Sequence, residues 1–393
     1  MRFVPGNRLQ LLRNGEEYFP ALVAAIDAAA TEVFLETYIF ADDETGSLVT
    51  DALARAAARG AAVHVLLDGF GAREFAPRFR AMLRQSGAEV LVFRPQISPW
   101  TLRRGRLRRM HRKLAYIDGR VAFVGGINVI DDYDTLARMP PRFDYAVRIE
   151  GPLTEEVRAA AARLWSQVSW ATFRRGRQGF AVLARKAMRA APDTPRAMPG
   201  GQRVALVVRD NVRHRRDIEE GYLQFIGEAR EEIVLANAYF FPGRRFRRAL
   251  ADAAARGVRV VLLLQGKVEY TLLHYASRAL YGAMLDSGIE IHEYTRSFLH
   301  AKVAVFDHRI SSVGSSNIDP FSLMLAREAN VFIDDPAFAA QLRSSLEEAM
   351  RTSSRAMPPR LWRRQPLWQR VRIWVAYGIT RLLISFAGLE RHH

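Results

Sequence analysis

Met110-His-Arg-Lys-Leu-Ala-Tyr-Ile-Asp118 and Leu299-His-Ala-Lys-Val-Ala-Val-Phe-Asp307 read the same way: His, one residue, Lys, four residues, Asp. Each runs on into small residues that end in Asn, Val124-Gly-Gly-Ile-Asn128 in the first and Val313-Gly-Ser-Ser-Asn317 in the second. In both, the Asn lies seventeen positions after its His. With nine His and four Lys in 393 residues, one chance match is expected in roughly one such chain in two hundred, and two are far rarer. Lysine usage sharpens the signal. Of 58 Lys plus Arg, 54 are Arg, yet both cassettes carry Lys, so a compact ammonium is wanted there and a planar fork is not.

The rest of the chain repeats around these cassettes. Helical periodicity over residues 16 to 30 precedes an apolar strand, Val33 to Phe40. A helix over about 46 to 58 and a strand from Ala62 to Asp68 follow, then a helix over about 74 to 86 and a strand from Glu89 to Phe93. The second half replays this order. Glu232 to Phe241 matches the first strand, Arg256 to Leu264 matches Arg59 to Leu67, and Gly288 to Tyr294 matches Gly87 to Phe93. The offset is about 200 residues until the cassette, where it falls to 189 because the first half has extra residues in Ile97 to Arg109. Alternating strands and helices predict an α/β fold of two similar lobes, each a β-sheet flanked by helices, related by a pseudo-twofold. The first lobe is expected over 1–186, a Pro- and Gly-rich linker over 187–202, the second lobe over 203–352 and a basic tail over 353–393.

Composition narrows the chemistry. The absence of cysteine excludes thiol nucleophiles, disulfides and cysteine-ligated zinc. A net charge of +17 predicts a polyanionic partner, nucleic acid or an anionic membrane surface. The N-terminus, Met1 to Arg8, lacks an apolar signal core, so the lobes are expected to face the cytoplasm.

On a strand, residues two apart share a face, so His111 points with Lys113, and His300 with Lys302. Asp118 and Asp307, seven residues from their His, fall on the opposite face, and Asp118-Gly119 is a hairpin-turn signal. Both are expected to support the turn. Two His and two Lys on one centre suit phosphodiester transfer. One imidazole attacks phosphorus and the other moves the proton, while Lys113, Lys302 and the Asn128 and Asn317 amides hold the phosphate oxygens. No metal or other cofactor is required. A neutral attacking imidazole also needs an acceptor for its other ring N–H. Asp144 and Glu328, each opening a strand about thirty residues after its His, are the candidates. His64, His214, His292, His308, His392 and His393 carry no assigned role.

The paired HxKxxxxD motifs with GGxN and GSxN tails resemble the phospholipase D superfamily, over roughly residues 8 to 335. Gly6 to Gly15, Glu36 to Phe40, Leu67 to Gly71 and Ala146 to Pro152 make the chain similar, within it, to the bacterial cardiolipin synthases of the B type, which lack N-terminal transmembrane helices. The resemblance implies a bilobed fold with the site between the lobes, and a catalytic set of His111, Lys113, Asp118, His300, Lys302 and Asp307. It implies further that His111 is the nucleophile and His300 the general acid and base. The implied reaction moves a phosphatidyl group from one phosphatidylglycerol to another and releases glycerol.

Trp368, Val371, Val375, Ile379, Leu382 and Phe386 fall on one helical stripe, with Arg363, Arg370 and Arg381 opposite. An in-plane amphipathic helix on an anionic bilayer accounts for both better than a span carrying arginines; a helix packed on the protein's own core is the plainer reading. Trp100 among Arg103, Arg104, Arg106, Arg108, Arg109 and Arg112 is read as a loop that draws anionic lipid towards His111, with a solvated basic loop as the alternative. The expected partners are therefore an anionic phospholipid and a membrane surface, with no nucleic acid, and the expected place is the cytoplasmic face of the cell membrane. Water as acceptor would instead make a phospholipase or nuclease. A non-enzymatic membrane scaffold is the third reading, and two intact cassettes oppose it.

Overall fold

A computed structural model describes the whole chain except residues 74, 96–107, 134–139, 174–196, 211–213, 320–321, 323–324 and 387–393. In the first lobe, β1 (Val4–Arg13) leads into α1 (Asn14–Asp27), β2 (Glu32–Thr37), α2 (Glu44–Ala58), β3 (Ala62–Asp68), α3 (Pro77–Gln85) and β4 (Glu89–Phe93). Then come β5 (Arg109–Met110), β6 (Lys113–Ile117), β7 (Val121–Gly125), β8 (Tyr145–Glu150) and the long α4 (Leu153–Phe173). The second lobe runs β9 (Gln202–Arg209), α5 (Asp217–Glu228), β10 (Glu232–Asn237), α6 (Arg244–Ala255), β11 (Arg259–Gln265), α7 (Thr271–Arg278), α8 (Tyr281–Asp286) and β12 (Glu290–Tyr294). It closes with β13 (Lys302–Phe306), β14 (Ile310–Gly314), β15 (Ala326–Asp334), α9 (Pro336–Ser353) and β16 (Ser354–Ala356), followed by α10 (Pro359–Arg363) and α11 (Leu367–Phe386).

The two repeats join edge to edge. The strand order is β16-β12-β11-β10-β13-β14-β15-β9-β1-β8-β7-β6-β2-β3-β4, so each lobe's sequence of neighbours is the other's reversed about the antiparallel β9–β1 seam. Within each lobe the first three βα-linked strands are parallel, β2–β3–β4 and β10–β11–β12, as crossover helices require. The cassette hairpins, β6–β7 and β13–β14, add antiparallel strands.

Three apolar layers follow from this. Leu22, Ile26, Leu53 and Phe79 of α1 to α3 cover one face of the first lobe's sheet. Tyr222, Phe246, Leu250 and Met284 do the same in the second. The largest cluster lies on the other faces of both sheets, where Tyr116, Val147 and Trp165 share a core with Val303, Val331 and Leu342. A core common to both repeats makes their mutual orientation as costly to disturb as any interior.

The tail divides into parts. β16, inside the stretch read as tail, extends the second lobe's sheet by pairing with β12. α11 buries Ile373, Ala376, Thr380 and Ile384 against that lobe, with Tyr377 against Phe241 and Arg372 stacked 4.1 Å over Tyr275. Its other side leaves Trp368, Val371, Trp374, Val375, Ile379 and Leu382 exposed. The helix is thus both packed on the protein and apolar outwards. Arg363, assigned to this helix from periodicity, instead ends α10 and pairs with Asp286 at 2.7 Å. Among the described residues no helix is long and apolar enough to cross a membrane.

Candidate active site

Both histidines sit just before their strands, where each chain segment crosses to the other lobe. β5 pairs in parallel with β15, and the His111 N–H donates to the Arg327 carbonyl at 2.9 Å. In the mirror arrangement Phe143 bridges Leu299, and the His300 N–H donates to the Phe143 carbonyl at 2.9 Å. These backbone contacts bring each imidazole beside the acid that follows in the opposite strand.

The carboxylates are therefore exchanged between lobes. His111 Nδ1 lies 3.0 and 3.2 Å from the two oxygens of Glu328, and His300 Nδ1 lies 2.5 Å from Asp144 Oδ2. A carboxylate only accepts, so His111 Nδ1 carries the proton and its Nε2 presents a lone pair; Asp144 favours the same tautomer of His300, with Lys302 Nζ 2.9 Å from that Nδ1. Chain separations of 217 and 156 residues put this pairing beyond local pattern. The lysines lie behind the rings. Lys113 Nζ donates to the His111 carbonyl at 2.6 Å, and Lys302 Nζ donates to the His300 carbonyl and lies 3.8 Å from Asp144. His111 and His300 keep 17% and 14% of their side chains exposed while the lysines are closed over, so the imidazoles are the reachable groups.

Electrostatics follow from burial. Both imidazoles are held below the usual histidine value, first by desolvation, with repulsion from Lys113 and Lys302 adding to it. Burial thus favours the neutral form of each ring, which suits a nucleophile or proton acceptor; the ring that acts as acid takes up a proton before it gives one. Burial also lowers Lys113 to about 7, opposed by Glu328, and lowers Lys302, opposed by Asp144. Asp144 is raised to about 6 by the same burial.

Asp118 and Asp307, in the candidate catalytic set with the rest of the motif, belong to the framework. They follow the far ends of β6 and β13, about 16 Å of strand from Lys113 and Lys302 at ~3.3 Å per residue and farther still from the histidines. Asp118 accepts from the backbone N–H groups of Ala30, Thr31 and Glu32 and from the Thr31 hydroxyl at 2.6 to 2.9 Å. Asp307 accepts from Arg230, Glu231 and Glu232 at 2.8 to 3.1 Å. Each ties its hairpin turn to the start of the lobe's first parallel strand, from a left-handed backbone (φ 51° and 47°). Asn128 and Asn317 are buried beside the lysine strands; Asn128 Oδ1 accepts from Ile39 N at 3.1 Å, leaving its NH2 for another acceptor.

Several residues escaped the sequence reading. Tyr38 tilts against His111, ring centres 4.8 Å apart, and Lys113 lies 5.3 Å over its ring. Asp68 and Gln265 end β3 and β11 and hold the N–H just ahead of each histidine, Met110 at 2.7 Å and Leu299 at 3.2 Å. Ser315 donates to Glu328 at 2.6 Å. Its counterpart Gly126 leaves that space for the shorter Asp144, whose oxygen would lie 2.4 Å from an added Cβ. Matching positions in the repeat were the available signal for all of these except Tyr38, which faces Ala238 in the other copy. Of the basic loop, Trp100, Arg103, Arg104 and Arg106 lie outside the described residues. Arg112 is corrected: it is buried, bonded to Glu36 at 2.6 Å and to the Ala160 carbonyl at 2.9 Å, and so points away from any lipid.

A family model described as cardiolipin synthase, PLD-like domain, matches residues 22–165 and 222–350. The chain belongs to this phospholipase D-like family. Cardiolipin synthase B of Escherichia coli (strain K12) is 36% identical over 98% of this chain and 90% of its own length. The major cardiolipin synthase ClsA of Bacillus subtilis (strain 168) is 30% identical over 97% of this chain and 76% of its own. Among solved structures, phosphatidylserine synthase of Haemophilus influenzae Rd KW20 shares the fold with a TM-score of 0.67 at 12% identity, covering 95% of this chain and 93% of that one. The phospholipase D-like fold is thus confirmed as two similar repeats.

Proposed function

We propose that the chain is a cardiolipin synthase that moves a phosphatidyl group from one phosphatidylglycerol to a second and releases glycerol. The observation that supports this is the exchange of carboxylates, in which His111 and His300 are each bonded to an acid of the other repeat. His111 Nε2 attacks phosphorus, and the bond from phosphorus to the glycerol oxygen breaks as His300, which enters this step protonated on both ring nitrogens beside Asp144, supplies that oxygen with a proton from Nε2. The second phosphatidylglycerol then gives its hydroxyl proton to His300, and its oxygen bonds to phosphorus as the phosphorus–nitrogen bond to His111 breaks. Lys113 and Lys302, with the Asn128 and Asn317 amides, offset charge on the non-bridging oxygens. Glu328 and Asp144 hold the Nδ1 proton of each ring, which leaves Nε2 for attack on one and for proton transfer on the other.

The outward apolar face of α11, with exposed Arg370 and Arg372 on the same helix, is suited to rest among anionic headgroups with Trp368 and Trp374 at the interface. Incubating the protein with phosphatidylglycerol vesicles and separating the lipids tests the reading. Cardiolipin and free glycerol are expected. Phosphatidic acid alone would make the chain a hydrolase, and unchanged lipid would remove the enzymatic reading.

A further inference from the structure

The two lobes are alike at the imidazoles and unlike on the walls beside them. In the first lobe, Thr37 closes its hydroxyl on the Ile39 carbonyl at 2.7 Å. Asp68 there uses one oxygen on Phe70 N at 2.8 Å and the other on Met110 N at 2.7 Å. Nothing is left over. The second lobe has Asn237 and Gln265 at these strand ends. The Gln265 oxygen repeats the task of Asp68 by accepting from Leu299 N, and the Asn237 oxygen accepts from Ile318 N, both at 3.2 Å. An amide, however, adds an NH2 that a hydroxyl or carboxylate lacks. Both NH2 groups are buried and have no partner among the described residues. A buried donor left unpaired costs about 1–3 kcal/mol, so each NH2 has room in its hydrogen-bonding for an acceptor, a water or a ligand atom.

Gln265 opens onto a pocket also lined by Tyr239, Lys267, Glu269, Tyr270 and His274. Inside it the Tyr239 hydroxyl donates to Glu269, and Arg142 lies 3.7 Å from the other Glu269 oxygen. The first lobe's wall differs in type: Tyr38 and Phe70 are stacked at 6.4 Å, with Arg73 and Arg109 at 5.0 and 5.9 Å over the Phe70 ring. A carboxylate beside a phosphoryl-transfer centre repels an anion and accepts from hydroxyls. An amide NH2 next to it donates to hydroxyl oxygens. Each hydroxyl of a polyol both donates and accepts, which matches this pair and does not match a phosphate.

We propose that this second-lobe pocket is the seat for the polyol end of the acceptor. Glu269 takes the hydrogen of the secondary hydroxyl, Gln265 gives one to the oxygen of that same hydroxyl, and the primary hydroxyl is presented to phosphorus. This rests on the phosphatidyl-transfer reading and adds the side from which the acceptor enters. Its oxygen forms the new bond to phosphorus as the phosphorus–histidine bond breaks, and its proton passes to the second imidazole. The departing glycerol uses the same seat, because one half-reaction is the other run backwards.

Competition at the common intermediate tests it. The full chain is given phosphatidylglycerol vesicles with labelled free glycerol and ethanol together, and cardiolipin, exchanged phosphatidylglycerol and phosphatidylethanol are measured. Ethanol lacks the second hydroxyl, so the ratio of polyol to ethanol products reports the seat whatever the rate of the first step. Glu269→Leu is expected to lower that ratio at least tenfold. Tyr239→Phe, which keeps the ring and its packing, lowers it in the same direction. A fall for both cardiolipin and exchanged phosphatidylglycerol assigns the seat to any polyol; a fall for cardiolipin alone assigns it to the lipid-borne one. A ratio equal to wild type in both variants overturns the seat while leaving phosphatidyl transfer intact. Wild type that makes none of the three products overturns transfer and the seat together.

Discussion

Replacing Glu328 by Gln changes one atom and removes one charge, and its effect should appear in the other repeat. Glu328 is fully buried, 3.0 Å from His111 Nδ1, and accepts from Ser315 at 2.6 Å. In Glu328→Gln the Ser315 hydroxyl keeps the amide oxygen on its own side, which turns the NH2 towards His111. A donor facing Nδ1 forces the ring proton onto Nε2, the atom that must carry the lone pair. The charge is lost as well. At an effective dielectric of about 20, a positive charge developing on the ring at that distance is held by about 5 kcal/mol. At about 1.4 kcal/mol per decade, turnover should fall by ~10³ to 10⁴. The crossing itself is tested with a phosphodiester bearing a nitrophenyl leaving group, which departs without a proton. Variants of the imidazole that serves as acid are rescued on that substrate, and variants of the attacking one are not. Glu328→Gln must behave as His111→Ala does, and Asp144→Asn as His300→Ala does, whichever ring attacks. If Glu328→Gln instead grouped with His300→Ala, the exchange of carboxylates between repeats would be wrong.

Other outcomes follow from the same geometry. Asp118→Ala should lower stability by about 2–4 kcal/mol, because four donors lose a charged acceptor, measured by denaturant unfolding. The Asp118 carboxyl is held low by the backbone donors of Ala30, Thr31 and Glu32 against an opposing push from burial. Its contribution is therefore present above the ordinary aspartate range and is lost as pH falls through its lowered value, so the variant and wild type should converge in acid. Lys113 runs the other way. Folding holds it at about 7, so between there and the usual lysine value near ~10.4 the unfolded chain binds more protons, and the Lys113 contribution to stability rises with pH. The stability gap between wild type and Lys113→Met should shift in wild type's favour from pH 7 to 9.5, and a gap independent of pH would contradict the buried placement. Val371→Glu with Val375→Glu on the exposed face of α11 should weaken binding to phosphatidylglycerol vesicles by tenfold or more, at about 1.5 kcal/mol or more per side chain. Unchanged sedimentation with vesicles would remove the membrane role of that face.

Periodicity and a repeated cassette were enough to read the α/β class, the duplication and the pairing of each His with its Lys, because these depend on neighbours within a few positions. The parity of a strand likewise placed Asp118 and Asp307 away from the imidazoles. What lay beyond the sequence was every choice made across the seam. His111 and Glu328 are 217 residues apart, and only the docking of β5 on β15 selects that acid over the nearer Asp144. Arg112 looked like one more cation in a basic loop until the fold enclosed it with Glu36. The stripe on α11 was visible in the sequence, but the opposite side's seat on the second lobe was not, since an apolar residue's spacing does not say which surface covers it. Local chemistry is written in the order of residues, whereas burial, and with it the protonation of His111, His300, Lys113 and Lys302, is set only when two repeats exclude water from the space between them.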